Sequence, residues 1–448
     1  MNIIIIGAGG VGRELVDRLA GEGHDITIID NDKKALSSTI ETYDVKGVFG
    51  NGAGAAIQQE AGIKNADLLV SCTNQDEVNI LCGLVGKKLG VKDTIARVRN
   101  PEYSNLFAGN ELGLSFMVNP EQTVAKEIAR ILKYPRTIKI EPFFDGKINI
   151  VELKITNQSP LSNIALKDIF NQLQVKLLVC CVQRGEEITI PSGSFILKPD
   201  DKVYITAPEQ NMIQFLKISK MSKPAKTVLI LGAGRITYYL IKELSKSSRI
   251  KVVEISEEKC VKLQESTSKN IDIICDDGTN HNVLLEEGLE TVDAFVSLAT
   301  RDEQNILVSL FANTKSVKKI ITKIDDASYI PILEASGIES IISTRITTAN
   351  EIVRYVREKE NAFGSSVKKL YRILNDKAEI IEFLATSSFR ALSVTLADIP
   401  TKKNLLVLAI LRGNNVITPG GSDTIEIGDN VIVVSSETIL EDLNDILE

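Results

Sequence analysis

The chain has 448 residues, 44% hydrophobic and 25% charged, an ordinary globular balance at a length suited to about two to four domains. A net charge of −7 and a pI near 5.3 set aside a general nucleic-acid binder. Its longest apolar runs, such as 405–411, fall far short of the ~20 residues a membrane helix needs, so no transmembrane span of its own is expected.

The first element sets the pattern. An apolar run at 3–6 meets Gly7, Gly9 and Gly12, then a helical pattern with Val11, Leu15, Val16 and Leu19 on one face, then a second apolar run ending in Asp30. That order reads as strand, glycine turn, helix, strand, acid. Gly7 suits a tight turn, Gly9 a close approach of phosphate to the helix N-terminus, and Gly12 close packing of helix on strand. Asp30, 18 residues beyond Gly12, is placed to take ribose hydroxyls and to repel a 2′-phosphate, favouring NAD-type or adenosine ligands over NADP. Further runs of β character at 26–29, 45–49, 67–72, 94–98 and 115–118 alternate with helical patterns and predict a doubly wound parallel sheet. A sixth helix is expected from Pro120 to about Tyr134, stopped by Pro135. From 137 to about 219 the pattern changes to strand-like runs with hairpin turns at Asp145-Gly146 and Arg184-Gly185, a small α+β module. The adjacent Cys180 and Cys181 sit on an apolar run there; with no CxxC anywhere, all six cysteines read as small core residues in a reducing cytosol.

The second half repeats the first. Gly7-Ala8-Gly9 returns as Gly232-Ala233-Gly234 (offset 225), Asp30 as Glu254 (offset 224), and 71–81 as 297–307 (offset 226), which carries Asp76-Glu77 onto Asp302-Glu303 and Asn79 onto Asn305. Arg97 and Arg99 align with Lys323 and Asp325. In the small module, Arg184-Gly185, Pro191, Gly193 and Asp201 map onto Arg412-Gly413, Pro419, Gly421 and Asp429, all at offset 228. A duplication of two modules follows, with Rossmann units at 1–136 and 226–360 and small α+β modules at 137–220 and 366–448.

Two Rossmann units, each followed by a small module with an RG…P.G…GD pattern, resemble the tandem RCK (TrkA-N plus TrkA-C) domains of the peripheral subunit of Trk potassium-uptake systems. The resemblance spans essentially the whole chain. It implies a cytoplasmic regulator, peripheral on the inner face of the membrane, that binds NAD(H) or ATP/ADP and assembles as a homo-oligomeric ring under a potassium-translocating integral membrane subunit of the TrkH/TrkG type. Neither catalysis nor ion conduction is implied. Carried over residue by residue, Gly7, Ala8, Gly9, Gly10, Val11 and Gly12 would cradle phosphates and Asp30 the ribose. Asn51 would line the adenosine side, Thr73 and Asn74 would border the cofactor, and Arg97 or Arg99, alternating on the fifth strand, would bring a guanidinium to the phosphates. In the second half the same places fall to Gly232, Ala233, Gly234, Arg235, Ile236, Glu254, Asp277, Ala299, Thr300 and Lys323.

The second half departs from the pattern, however. Thr237 replaces the third glycine and Arg235 replaces Gly10, which puts close helix and strand packing in question, and Asp325 in place of the second arginine repels a nearby phosphate. A different ligand, weaker binding or none is expected there. The remaining chemistry is sparse: His24 and His281 read as surface or turn residues, and no HExxH, GxSxG, P-loop or metal-ligand spacing occurs. The pairs Asp76-Glu77 and Asp302-Glu303 read as helix starts that favour the dipole. The competing classes are an NAD-dependent oxidoreductase, for which the small modules offer no acid–base constellation, and an RCK-type regulator of a different cation channel or exchanger.

Overall fold

The computed structural model describes residues 1–106, 113–133, 139–143, 148–185, 187–219, 224–267, 271–338, 340–362, 367–373, 378–402, 404–413, 415–436, 440 and 442–448. The expected turn at Asp145-Gly146 and the stop at Pro135 lie outside these residues.

In the first half, strands β1 (Asn2–Ile6), β2 (Asp25–Asp30), β3 (Lys46–Phe49), β4 (Leu68–Ser71), β5 (Asp93–Arg97) and β6 (Phe116–Val118) alternate with helices. These are α1 (Gly10–Ala20), α2 (Lys33–Thr42), α3 (Ala55–Glu60), α4 (Asp76–Leu89), α5 (Pro101–Leu106) and α6 (Pro120–Lys133). All strands run parallel in the order β3-β2-β1-β4-β5-β6, the doubly wound order whose crossover at β1 and β4 opens a crevice at the strand C-termini. The apolar runs explain the placement, since β1 and β4, flanked by strands on both sides, are almost wholly buried.

The first small module contains β7 (Lys139–Phe143), β8 (Ile148–Lys154), α7 (Ile169–Leu173), β9 (Leu178–Arg184), β10 (Glu187–Thr189), β11 (Lys202–Pro208) and α8 (Glu209–Ile218), an antiparallel sheet in the order β10-β9-β11-β8-β7. The second half repeats the parallel sheet with β12 (Thr227–Leu231), α9 (Arg235–Leu244), β13 (Arg249–Glu254), α10 (Glu257–Ser266), β14 (Ile271–Cys275) and α11 (His281–Glu286), then β15 (Ala294–Ser297), α12 (Asp302–Thr314), β16 (Lys319–Lys323), α13 (Ile330–Ala335), β17 (Ser340–Ile342) and α14 (Thr344–Ala362). Its order, β14-β13-β12-β15-β16-β17, is that of the first. The last module, with β18 (Val367–Ile373), β19 (Ala378–Leu384), β20 (Leu405–Arg412), β21 (Asn415–Ile417) and β22 (Asn430–Ser435), repeats the antiparallel sheet as β18-β19-β22-β20-β21.

The modules associate by kind. One compact unit comprises Met1–Lys133 and Ala225–Tyr355, and the other Tyr134–Pro224 and Val356–Glu448. In the first unit, α6 does not cover its own sheet alone. Val124, Ala125, Ile128, Ala129 and Leu132 enter one apolar cluster with Val228 and Ile230 of β12, Ile236, Tyr239 and Leu240 of α9, and Ile342. In the second unit, Cys180, Cys181 and Tyr204 share a cluster with Ile380, Leu408, Ala409, Ile432 and Val434, so the two antiparallel sheets pack through these faces.

The repeated RG…P.G…GD pattern is architectural. Arg184 grips the buried Asp201 with Nε and Nη2, both at 2.7 Å, and Arg412 grips Asp429 in the same way. One expectation is corrected here: Cys275 is exposed while the other five cysteines are buried, and His24 sits buried at its turn.

Candidate nucleotide-binding site

The crevice is built by β1, its glycine turn and α1. Gly7 takes φ +110°, and a Cβ there would stand 3.1 Å from the backbone of Cys72 and Thr73, so the turn after β1 lies against the end of β4. A Cβ at Gly12 would fall 1.8 Å from the Gly7 carbonyl oxygen, which is why helix and strand approach so closely. Above Gly9, the residue that caps α1 with no side-chain bond, a Cβ would meet nothing within 4 Å. The N–H groups at the start of α1 thus border a turn that is open above Gly9.

Asp30, at the end of β2, holds this turn. Its Oδ2 accepts from Ala8 N at 2.5 Å and its Oδ1 from Asp32 N at 2.7 Å. Asn51 follows β3 and accepts from Ala53 N in a local turn at 3.0 Å, which leaves its exposed side chain at the same sheet edge. Thr73 lies beside Gly7, and its N and Oγ1 both donate to Asn79 Oδ1 at 2.7 Å, while Asn74 is exposed at the rim.

Arg97 supplies the charge. It is 8% exposed at the end of β5, its Nε is buried with no hydrogen-bond partner, and its guanidinium makes no ion pair among the described residues. Burial pushes its pKa down from the usual arginine range. Burial also pushes the Cys72 thiol up to about 12, with Arg97 opposing and Asp30 adding to the rise, and the Cys72 Sγ lies 3.6 Å from the Gly7 carbonyl. An unpaired buried donor costs about 1–3 kcal/mol, and a phosphate would satisfy it. Arg99 behaves differently. It lies past the end of β5 rather than on the strand, and Glu121 Oε1 holds its Nε and Nη2, each at 2.6 Å.

The second crevice has the same frame. Glu254 Oε2 accepts from Ala233 N at 2.8 Å and its Oε1 from Ser256 N at 3.0 Å, and Gly232 takes φ +101° against Leu298 and Ala299. The substitution at the third glycine does not prevent close packing. Thr237 Oγ1 donates to the Gly232 carbonyl at 2.5 Å, so a hydroxyl bond takes the place of bare contact, and Ile236 beside it is buried. Gly234 is open above, as Gly9 is, and Arg235 is exposed beside it. Asp277 is tied to Thr279, whose N and Oγ1 donate to it and hold its carboxyl below the usual range. Thr300 is exposed at the rim. The charge differs from the first site, because Lys323 Nζ is neutralised by Asp325 Oδ2 at 2.7 Å.

Three kinds of residue escaped the sequence reading. Asn79 ties the two strand ends together, donating to the Thr73 and Arg97 carbonyls at 3.0 and 2.9 Å, and Asn305 does the same for Ala299 and Lys323. Their match in the repeat was the available signal. Asp76 and Asp302 do more than favour a dipole. Asp76 accepts from Arg99 N and Asn100 N, and Asp302 from Asp325 N and Asp326 N, fixing the loop after the fifth strand. Arg345, from the second half, lies against Gly10 of the first, and no local motif announces it.

A family model of the TrkA-N domain matches residues 3–120 and 228–344, and one of the TrkA-C domain matches 150–220 and 380–448. The Trk system potassium uptake protein TrkA homolog 1 of Methanosarcina mazei is 33% identical over 97% of this chain and 97% of its own. The TrkA homolog of Archaeoglobus fulgidus is 31% identical over 100% of both chains. The TrkA protein of Vibrio alginolyticus is 29% identical over 97% of this chain and 95% of its own. Among solved structures, the GsuK channel bound to NAD superposes with a TM-score of 0.63 at 16% identity, covering 97% of this chain and 77% of that one. GsuK bound to ADP gives 0.51 at 14%, covering 80% and 69%. At those identities the likeness is one of fold. With all four modules matched in order and full-length relatives above 30% identity, the chain belongs to the TrkA family.

Proposed function

We propose that the chain is the nucleotide-responsive regulatory subunit of a Trk-type potassium-uptake system. It acts in the cytoplasm, against the inner face of the membrane, as a ring of copies docked on a TrkH/TrkG-like potassium-translocating subunit. The first crevice is its principal sensor. The observation that carries this reading is the buried, unpaired Arg97 guanidinium at the end of β5, near enough to act on Cys72 beside the open glycine turn, a fixed positive charge that an anionic ligand would complete. Residues Gly7 to Gly12 would receive the phosphates on the N–H groups of α1, Asp30 the ribose, and Asn51, Thr73 and Asn74 the rim of the nucleotide. Relatives named as Trk potassium-uptake proteins, and RCK structures described as bound to NAD or ADP, support adenine nucleotides as the class. A bound nucleotide would bias the ring between geometries in proportion to its difference in affinity for them. The lysine at the edge of the second crevice is tied to Asp325 and so is not free to serve as an acid or base, and relatives named as potassium uptake proteins favour regulation over hydride-transfer catalysis.

Calorimetric titration of the full chain with ATP, ADP, NADH and NADPH tests this. Binding of adenine nucleotides with NADPH excluded, and potassium uptake by the membrane partner that changes with nucleotide, are expected. Tight NADPH binding or substrate-dependent NADH oxidation would overturn it.

A further inference from the structure

The two Rossmann units are related by an internal pseudo-twofold whose contacts come in pairs. Thr123 Oγ1 donates to Glu351 at 2.6 Å, and its counterpart Thr347 Oγ1 donates to Glu127 at 3.2 Å, residues matched at offset 224. The same offset matches Arg345 with Glu121. At this pair of positions, in the first turns of α14 and α6, the charge is reversed.

Arg345 reaches the first crevice. A Cβ on Gly10 would stand 2.4 Å from Arg345 Nε and 2.7 Å from its Cζ, so the guanidinium from the second unit lies on the first turn of α1, admitted by the missing side chain. Burial raises the Asp325 carboxyl, but Lys323 and Thr344 outweigh it, and the bonds from Ser328 hold that of Asp326 below the usual range, with Arg345 near enough to add a smaller lowering effect at both. No ion pair forms, however, and Arg345 is partnered by no carboxylate within 4 Å among the described residues. Arg345 from the neighbouring unit thus lies on the glycine turn, and the buried Arg97 acts electrostatically on Cys72, whose Sγ is 3.6 Å from the Gly7 carbonyl, with the space over Gly9 open.

The mate of Arg345 has the opposite sign. Glu121 is 4% exposed, with Oε1 held by Arg99 and Oε2 buried without a partner. It acts electrostatically on Tyr239 of α9, the helix that follows the second glycine turn, and Asn119 two residues before it donates to the Tyr239 hydroxyl at 2.9 Å. Where the first turn has an arginine from across the interface, the helix of the second has a buried carboxylate.

We infer that Arg345 is a phosphate-binding residue of the first site, supplied by the second Rossmann unit, and that it selects nucleoside di- and triphosphates for that site. Glu121, its charge paired with Arg99, supplies no matching cation to the second crevice. Occupancy of the first site then ties the two halves together, since its anion is held from both. This rests on the proposal that the first crevice binds a nucleotide, and it adds the residue that reads the phosphates.

Calorimetry on the full chain with adenosine, ADP and ATP, using wild type, Arg345→Gln, Arg345→Lys and Asp30→Ala, separates the possibilities. Arg345→Gln is expected to weaken ATP about tenfold or more while leaving adenosine within about twofold, and Arg345→Lys to recover part of the loss, because an ammonium keeps the charge without the bidentate fork. ATP affinity unchanged in Arg345→Gln overturns the inference. So does an equal loss of ATP and adenosine, which marks a structural role, as would a ligand-free Arg345→Gln chain melting many degrees lower. If the wild type binds no adenine ligand, or if Asp30→Ala leaves binding intact, the nucleotide reading of the crevice itself fails, and the role of Arg345 with it.

Discussion

Replacing Arg97 with methionine should make the ligand-free protein more stable and the liganded protein less so. The side chain is 8% exposed, its Nε is buried without a partner, and it makes no ion pair among the described residues, so in the absence of an anion the fold carries an uncompensated donor. A buried donor left unsatisfied costs about 1–3 kcal/mol, and methionine fills a similar volume without a polar atom. Asn79 bonds the backbone carbonyl of Arg97, not its side chain, so the strand-end brace survives the change. At roughly 2–4 °C per kcal/mol for a domain of this order of size, the ligand-free variant should melt a few degrees above wild type. Saturating ATP should add about 2.7 kcal/mol to wild type at a hundredfold excess over Kd and little to the variant. The two melting curves therefore exchange order when nucleotide is added, which differential scanning calorimetry with and without ATP measures directly. A ligand-free variant that melts below wild type would refute the reasoning, because it would mean that Arg97 is already satisfied and is not waiting for an anion.

Gly12→Ala puts a carbon 1.8 Å from the Gly7 carbonyl; overpacking of about 1–3 kcal/mol and loss of nucleotide binding are expected, and unchanged calorimetry would count against the phosphate role of the turn. Lys319 is buried, donates to the Leu132 carbonyl at 2.9 Å, and has its pKa pushed down to about 8 by burial, with Asp293 opposing. The unfolded lysine keeps its proton to about pH 10.4, so the unfolded chain binds more protons in between and stability rises with pH there. Wild type should therefore gain roughly 2 kcal/mol on Lys319→Met between about pH 7.5 and 9.5, and a pH-independent difference in chemical denaturation would exclude this. Asp201→Asn should cost about 1–3 kcal/mol at neutral pH by breaking the grip of Arg184. Burial raises the Asp201 carboxyl, but the Arg184 bonds outweigh it and hold the pKa low, so that difference should shrink only as pH falls below the ordinary aspartate range. A fragment ending at Lys133 bares Val124, Ile128 and Leu132, and size-exclusion chromatography should find it associated or aggregated rather than monomeric.

The parallel sheets were legible because each strand is a continuous apolar run between glycine punctuation and a helical period, signals that depend only on near neighbours. The turn residues Gly7, Gly9 and Gly12 and the acid Asp30 were legible for the same reason, since strand, turn and helix constrain one another within thirty residues. Two misplacements share a cause. Arg99 reads from period alone as a strand neighbour of Arg97, but the strand ends at Arg97, and Glu121, 22 residues on, takes its guanidinium. Thr237 looks incompatible with a tight turn until its hydroxyl is seen to bond the carbonyl that a methyl group would strike. In both, a single side-chain hydrogen bond decides the outcome, and pattern reading does not resolve it.

What the sequence could not show was which module packs on which. The tandem order of Rossmann, small, Rossmann, small does not name the partners; α6 buries its apolar stripe in the second Rossmann core and the antiparallel sheets pair with each other. An amphipathic helix states how wide a face it must bury, not against which partner. The consequence for function follows from the reversal at Arg345 and Glu121. After duplication, each half of the chain is free to vary separately, which a symmetric pair of identical chains is not. Across the pseudo-twofold, the structure places a cation on one glycine turn, while the matching position holds a carboxylate paired with Arg99. A ring of identical single units would present the same phosphate response at every site. Fusing two units into one chain permits two crevices of different chemistry in every subunit, so that, on the inference above, a nucleoside di- or triphosphate would act on only one of the two.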